Sequence, residues 1–369
     1  MEQREKAFWA WMASVEGVTP ARFRRMLALY GSAERVYAEF DLRAQGILGD
    51  KAYQELAAAR SGGYFEALMD KMQRSGMQVV CLGEAGYPPL LAHISDPPPV
   101  LFVRGAVDLS DARAVAVVGA RRATRYGLKQ AERFGRELAQ AGVTVVSGMA
   151  RGTDTAAHVG CLAGGGRTIA VLGCGVDTVY PPENAGLFDR VLASGGSIVS
   201  EFAPGMPPVA QNFPRRNRII SGICAAVLVT EAAQGSGAMI TVRLALDQGR
   251  DVYAMPGPVD APMSEMPLQM LMEGAHMARG AQDILNQQRW EMPDTQLSFI
   301  TDTFGGKLTP TLEPDERRVV ELLQNEPLSF DELLSLTNFT PEKLNMLLTT
   351  MEIKEIMKQL PGCMYALDR

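Results

Sequence analysis

Metal and nucleophile chemistry have little to stand on in this chain of 369 residues. Its five cysteines, Cys81, Cys161, Cys174, Cys224 and Cys363, are odd in number and never fall at metal-ligand spacing, so they read as reduced thiols and no metal or cofactor site is expected. Histidines number three, His93, His158 and His276, and no carboxylate cluster stands beside them. No serine or cysteine sits in a nucleophile elbow, so the chain does not read as an enzyme. Long apolar runs are missing as well, which excludes a membrane span, and the opening MEQREKAFWAWMASVEG is charged at once, unlike a secretory signal. A cytoplasmic location is the expectation. Positive charge is also short: a net −6 argues against a generic DNA binder.

Dividing that charge along the chain changes its meaning. Residues 1–111 carry −2 and residues 310–369 carry −5, whereas residues 112–290 carry +3. Within the middle region the cations gather at Arg121, Arg122 and Arg125, and again at Arg215, Arg216 and Arg218. A local basic site on an acidic protein selects its ligand by geometry, because long-range attraction is weak.

The middle region alternates short apolar runs, 114–118, 143–147, 168–172, 197–200, 225–230 and 251–255, with amphipathic stretches such as YGLKQAERFGRELAQAG. Runs rich in β-branched residues without polar alternation are buried on both faces. They predict a doubly wound α/β domain with a mostly parallel, extended Rossmann-like sheet over 112–290. Ligands of such sheets sit at the carboxyl ends of the strands, where this sequence places its glycines: VGARRATRYG, SGMARGTD, LGCGVD and EAAQGSGA. Each loop frees backbone N–H groups for an anion. VGARRATRYG lacks the GxGxxG dinucleotide pattern and has arginines in the middle, which favours phosphate contact by the side chains of Arg121 and Arg122.

The string QNFPRRNRIISG at 211–222 runs straight into an apolar strand, and three arginines there are not all buried cheaply, so some are expected to face an anionic ligand. Asp154 and His158 stand four apart at a helix start, a carboxylate expected to cap the helix and orient the histidine. Residues 1–85 read as a small helical module of helix-hairpin-helix or SAM type, and 86–111 as a proline-rich extended connector. A linker is expected at 291–309. The tail 310–369 reads as three short helices and a hairpin, the order of a winged helix, whose acidity suits a protein contact or regulatory role better than DNA.

Taken in order, VAVVGARRATRYG, VVSGMARGTDTAAH, GRTIAVLGCGVDTVYPPEN, GGSIVSE, NFPRRNRIISG, EAAQGSGAMIT and GRDVYAMPG resemble the DNA-processing protein A family, DprA, also called Smf. The resemblance implies a single-stranded DNA-binding protein that protects incoming DNA in natural transformation and loads the RecA recombinase. It carries the strand-binding roles onto Arg121, Phe213, Arg216, Asn217 and Arg218, with Gly119, Ser147, Gly148 and Gly237 as backbone neighbours and Phe213 able to stack on a base. It also implies a homodimer, for which Leu268, Leu271 and Met272 are the candidates. One stretch departs from the family pattern: MSEMPLQMLMEGAHM has Met266, Pro267 and Leu268 where Gly-x-Asn is expected. The fold also resembles nucleotide-cleaving phosphoribohydrolases of the lysine-decarboxylase-like group, but here Glu231 precedes the QGSGA loop instead of following it, which misplaces the general base.

Overall fold

The computed structural model describes residues 1–290, 314–323, 328–337, 339–353, 357–360 and 364–367. Two compact units emerge, Met1–Pro293 and Asp294–Arg369. The expected linker at 291–309 lies outside the described residues.

The first unit is built on nine strands: β1 (Gln78–Cys81), β2 (Val100–Gly105), β3 (Ala114–Val118), β4 (Thr144–Ser147), β5 (Thr168–Val171), β6 (Ser197–Ser200), β7 (Ala226–Val229), β8 (Asp251–Ala254) and β9 (His276–Met277). They form one sheet in the order β1-β2-β6-β5-β4-β3-β7-β8-β9. β3 to β8 are the six expected strands, mutually parallel, and every residue in them except Asp251 is buried. Helices cover both faces, so side chains pointing either way meet a hydrophobic layer. β9 adds a short parallel edge.

β1 and β2 had no counterpart in the sequence reading. β2 pairs antiparallel with β6 and β1 antiparallel with β2, so a strand falls within 86–111 and another ends the region 1–85. The prolines stop just before β2, whose apolar Val100–Val103 run is free to take ladder hydrogen bonds.

Helices α1 (Gln3–Ser14), α2 (Pro20–Tyr30), α3 (Ala33–Glu39), α4 (Gln45–Arg60) and α5 (Tyr64–Arg74) precede the sheet. Thr19 caps α2 by accepting from the Arg22 N–H at 3.4 Å, and Gly31, at φ 86°, ends it. Trp11 and Phe23 of these helices share a single core with Phe102, Ala170 and Ile198 of the sheet. The N-terminal helices are therefore part of the sheet's own packing.

The remaining helices of this unit are α6 (Pro89–Ala92), α7 (Arg125–Gln140), α8 (Thr153–Ala163), α9 (Ala185–Ala193), α10 (Asn212–Ile223), α11 (Ala238–Asp247), α12 (Glu265–Met272) and α13 (Ala281–Gln287). From β3 the chain crosses through α7 to β4 on one side. From β7 it crosses through α11 to β8 on the other. Diverging crossovers open a crevice at the carboxyl ends of β3 and β7.

The second unit holds α14 (Pro314–Leu323), α15 (Phe330–Thr337) and α16 (Pro341–Ile353), with β10 (Leu328–Ser329), β11 (Met357–Leu360) and β12 (Met364–Leu367) in an antiparallel sheet ordered β10-β12-β11. Val319, Leu333, Leu344 and Met351 are fully buried in its core. This is the expected winged-helix arrangement. Among the described residues no helix is long and apolar enough to cross a membrane.

Candidate nucleic-acid interface

The crevice between β3 and β7 is an open cleft of about 690 Å³. One wall is the loop after β3, the other the loop after β7, and the first turns of α10 close the base. Gly119 lets the two loops meet: a β-carbon there would lie 2.5 Å from Thr153 Oγ1 and 2.9 Å from the Glu231 carbonyl oxygen. Any larger residue forces the walls apart.

Of the site residues read from the sequence, Gly119, Arg121, Arg122, Phe213, Arg216, Asn217 and Gly237 line this cleft together. Arg121 and Arg122 are exposed and make no ion pair among the described residues. Phe213 is half-buried, with Arg121 5.4 Å and Arg216 6.0 Å from its ring centroid and Tyr180 packed at 5.5 Å. Gly173 makes room for it, since a β-carbon there would stand 2.8 Å from Phe213 Cδ1. Arg121, Phe213, Arg216 and Tyr180 thus form one cation–aromatic cluster.

Arg216 is nearly buried, 3% exposed, and is held from behind. Its Nη1 donates to the Gly148 carbonyl at 2.8 Å and to the Val171 carbonyl, and Nε donates to Asn217 Oδ1 at 3.3 Å. Burial pulls its pKa down to about 10 while the Asp154 charge opposes the shift, so the guanidinium stays protonated at neutral pH. Asp154 is buried beside it, and burial raises its pKa against the pull of Arg216 and of the Ala150 and Gly148 N–H groups, which it accepts at 3.2 and 3.1 Å. The result is a cation presented on a fixed mount.

Three site residues lie elsewhere. Ser147 is fully buried and donates to the Val117 carbonyl at 2.7 Å. Gly148 sits behind Arg216, and a β-carbon there would come within 2.7 Å of the guanidinium. Arg218 does not line the cleft: it pairs with Glu201 at 2.6 Å and Asp96 at 3.5 Å. Asp154 also differs from expectation, because its hydrogen bonds go to the preceding loop. His158 bonds Thr168 through Nδ1 at 2.7 Å instead, and full burial lowers its pKa to about 3.

Glu231, 4% exposed, accepts from the Thr124 N–H at 2.8 Å and the Thr124 hydroxyl at 2.6 Å, and Gly127 gives its carboxylate space. It closes the start of α7. Tyr180 and Asp154 are cleft residues that the sequence reading left out of the site. Tyr180 had a signal, an aromatic before two prolines at the end of a glycine loop.

Around MPLQMLM, Pro267 and Met270 are buried, and Met266 and Leu271 pack on the same core. Leu268 is half-buried and Met272 is 82% exposed. The apolarity of this segment is therefore consumed in part by its own subunit.

The model of the DNA recombination-mediator protein A family matches residues 78–289, and that of the DprA winged helix domain matches 307–363. Protein Smf of Synechocystis is 31% identical over 396 aligned residues, covering 99% of each chain. DNA processing protein DprA of Streptococcus pneumoniae is 42% identical over 199 residues, 54% of this chain and 70% of that one. The solved structure of DprA from Streptococcus pneumoniae superposes with a TM-score of 0.65 at 32% identity, over 78% of this chain and 99% of that chain. DNA processing protein A from Helicobacter pylori, whose structure concerns a single-stranded DNA binding mode, gives 0.52 at 28% identity, over 58% and 98%.

Proposed function

Since the chain belongs to the DNA recombination-mediator protein A family, DprA or Smf, we propose that it binds single-stranded DNA in the cleft above β3 and β7, protects incoming strands in natural transformation and hands them to the RecA recombinase. The convergence of unpaired Arg121 and Arg122 with buried Arg216 around Phe213 carries this reading. Arginines take phosphates, which position a strand without reading its bases. An aromatic ring stacks any base. The single-stranded DNA binding mode of the Helicobacter pylori relative supports the assignment.

Binding without turnover is part of the proposal, because the carboxylate a nucleotide-cleaving enzyme would need at the QGSGA loop, Glu231, is spent on Thr124. Action is in the cytoplasm, where RecA works. Residues 1–85 and 86–111 brace the sheet, and the acidic unit 310–369 serves protein contact or regulation. Leu268, Leu271 and Met272 form a two-fold contact between copies of the chain, led by the exposed Met272.

A shift assay with single-stranded and duplex DNA over a salt series tests the main reading. Single strands are expected to bind more tightly, with a log–log salt slope of about −2 to −4 at roughly −0.7 per phosphate. Equal affinity for duplex, or a slope near zero, overturns it. Light scattering of Met272→Glu and Leu268→Glu tests the dimer, which both variants should weaken.

A further inference from the structure

Surface arginines of the first unit are of two kinds, and several, Arg24, Arg25, Arg190 and Arg243 among them, are exposed without an ion pair among the described residues. Arg4, Arg35, Arg43, Arg74, Arg151 and Arg279 each hold a carboxylate within 4 Å. Helix α7 has both kinds, divided between its two halves. Its second half is paired, with Arg133 on Glu137 at 3.1 Å and Arg136 on Glu132 at 2.8 Å. Its first half carries Arg125 and Lys129, exposed and without an ion pair among the described residues, and between them Tyr126 is 46% exposed.

The first turn of a helix favours acidic side chains, yet that of α7 has none and begins with Arg125. Arg125 alone lies in that turn, and the Glu231 carboxylate held on Thr124 answers the helix dipole there, which leaves both cations open to another charge. Arg125 and Lys129 are four apart and share a face, separated by about 6 Å of helix rise, or roughly two phosphate spacings of a stacked strand. Arg121 and Arg122, the exposed arginines of the cleft, precede α7 by only a few residues.

We propose that Arg125, Tyr126 and Lys129 form a second stretch of the single-strand path, on which DNA leaving the cleft lays phosphates against the two cations and one base on the tyrosine ring. This rests on the cleft reading and extends it. The occupant is the same strand, because charge complementarity and continuity with Arg121 and Arg122 both point to it, and an aromatic between cations suits a base between phosphates.

The test compares oligothymidines of about 6 and about 15 nucleotides in the full-length protein. Arg125→Gln/Lys129→Gln should weaken binding of the longer strand about tenfold at low salt and make its slope shallower by roughly 1.4, two contacts at about 0.7 each, with the shorter strand changed less than about twofold. Tyr126→Ala should weaken the longer strand with its slope unchanged, and Tyr126→Phe should restore it. Arg136→Gln, on the paired half of α7, should leave both strands alone. Unchanged long-strand affinity in the double variant, while Arg121→Ala weakens both strands, overturns the second stretch and leaves the cleft standing; indifference of both strands to Arg121→Ala overturns the cleft itself. An equal loss in Arg136→Gln, or full DNA affinity with loss of binding to an acidic protein partner, overturns the proposal too.

Discussion

The two units of this chain carry two folds often associated with nucleic acid, and the cleft arginines of one and Lys343 of the other are held in opposite ways. In the doubly wound unit, Arg121 and Arg122 are unpaired at the cleft, and Arg216 is buried behind them on carbonyl oxygens with its charge intact. In the winged-helix unit, Lys343 of α16 is tied to Asp315 of α14 at 2.7 Å and lies 4.6 Å from the Phe339 ring. That unit sits in a region of net −5. Fold type therefore says little about where a phosphate goes; what separates Arg121 and Arg122 from Lys343 is whether a carboxylate holds the cation.

The contrast breaks hardest at Arg216. Replacing it with methionine strands Asp154 in a buried site, at a cost of about 3–5 kcal/mol in unfolding free energy. Urea unfolding should show this loss, and Asp154→Asn added to Arg216→Met should recover part of it. A change under about 1 kcal/mol would mean that Arg216 is not the mount described.

Acid separates the units next. All three histidines lie in the first unit, and His158 is held neutral there with a pKa of about 3 against about 6.5 in an unfolded chain. A depressed folded pKa contributes stability that is present above 6.5 and lost as pH falls toward 3. Between pH 6.5 and 4.5 the wild type should lose about 2–3 kcal/mol more than His158→Asn. Deleting residues 310–369 should leave that difference unchanged. Equal pH slopes in wild type and His158→Asn would remove the histidine from the account.

Between the loop after β3 and the FPRRNR helix the comparison sharpens to a pair. Arg121→Ala should weaken single-strand binding about tenfold and flatten the salt slope by roughly 0.7. Arg218→Ala should leave the slope in place and instead destabilise the fold, because Glu201 loses its partner in a buried site. A salt slope that flattens equally in both variants would place Arg218 in the strand path. The smallest effect is expected from deleting 310–369: single-strand affinity should change less than about twofold, and a larger loss from a folded, dimeric protein would give the acidic unit a share of the DNA.

How far the sequence carried these conclusions varies by element. β3 to β8 were legible because a parallel strand buried on both faces writes an unbroken apolar run. β1, β2 and β9 were not, since β9 has two residues, β1 pairs antiparallel with β2 alone, and the antiparallel pairing of β2 depends on β6, far along the chain. Most of the cleft was legible from glycines and arginines at strand ends. Arg218 was not, for a geometric reason: two residues apart on a helix is a turn of about 200°, so if Arg216 faces the cleft, Arg218 faces away from it. Spacing named the charged residues of α10 but not their directions. Likewise, the i,i+4 spacing of Asp154 and His158 put them on one face without revealing that each had a nearer partner, the 148–150 loop for one and Thr168 for the other.

The pairing of β2 with β6 also sets a timetable for synthesis. Val100–Gly105 leaves the ribosome with the five N-terminal helices already made, yet its partner, Ser197–Ser200, follows only after α7, α8 and α9. At roughly 5–20 residues per second the hairpin of β1 and β2 waits about 5–20 s with one edge unpaired and Phe102 without its eventual neighbours. The nascent chain is most exposed to mispairing in that interval, and a chaperone that shields the β2 edge would act there, well before the DNA cleft exists.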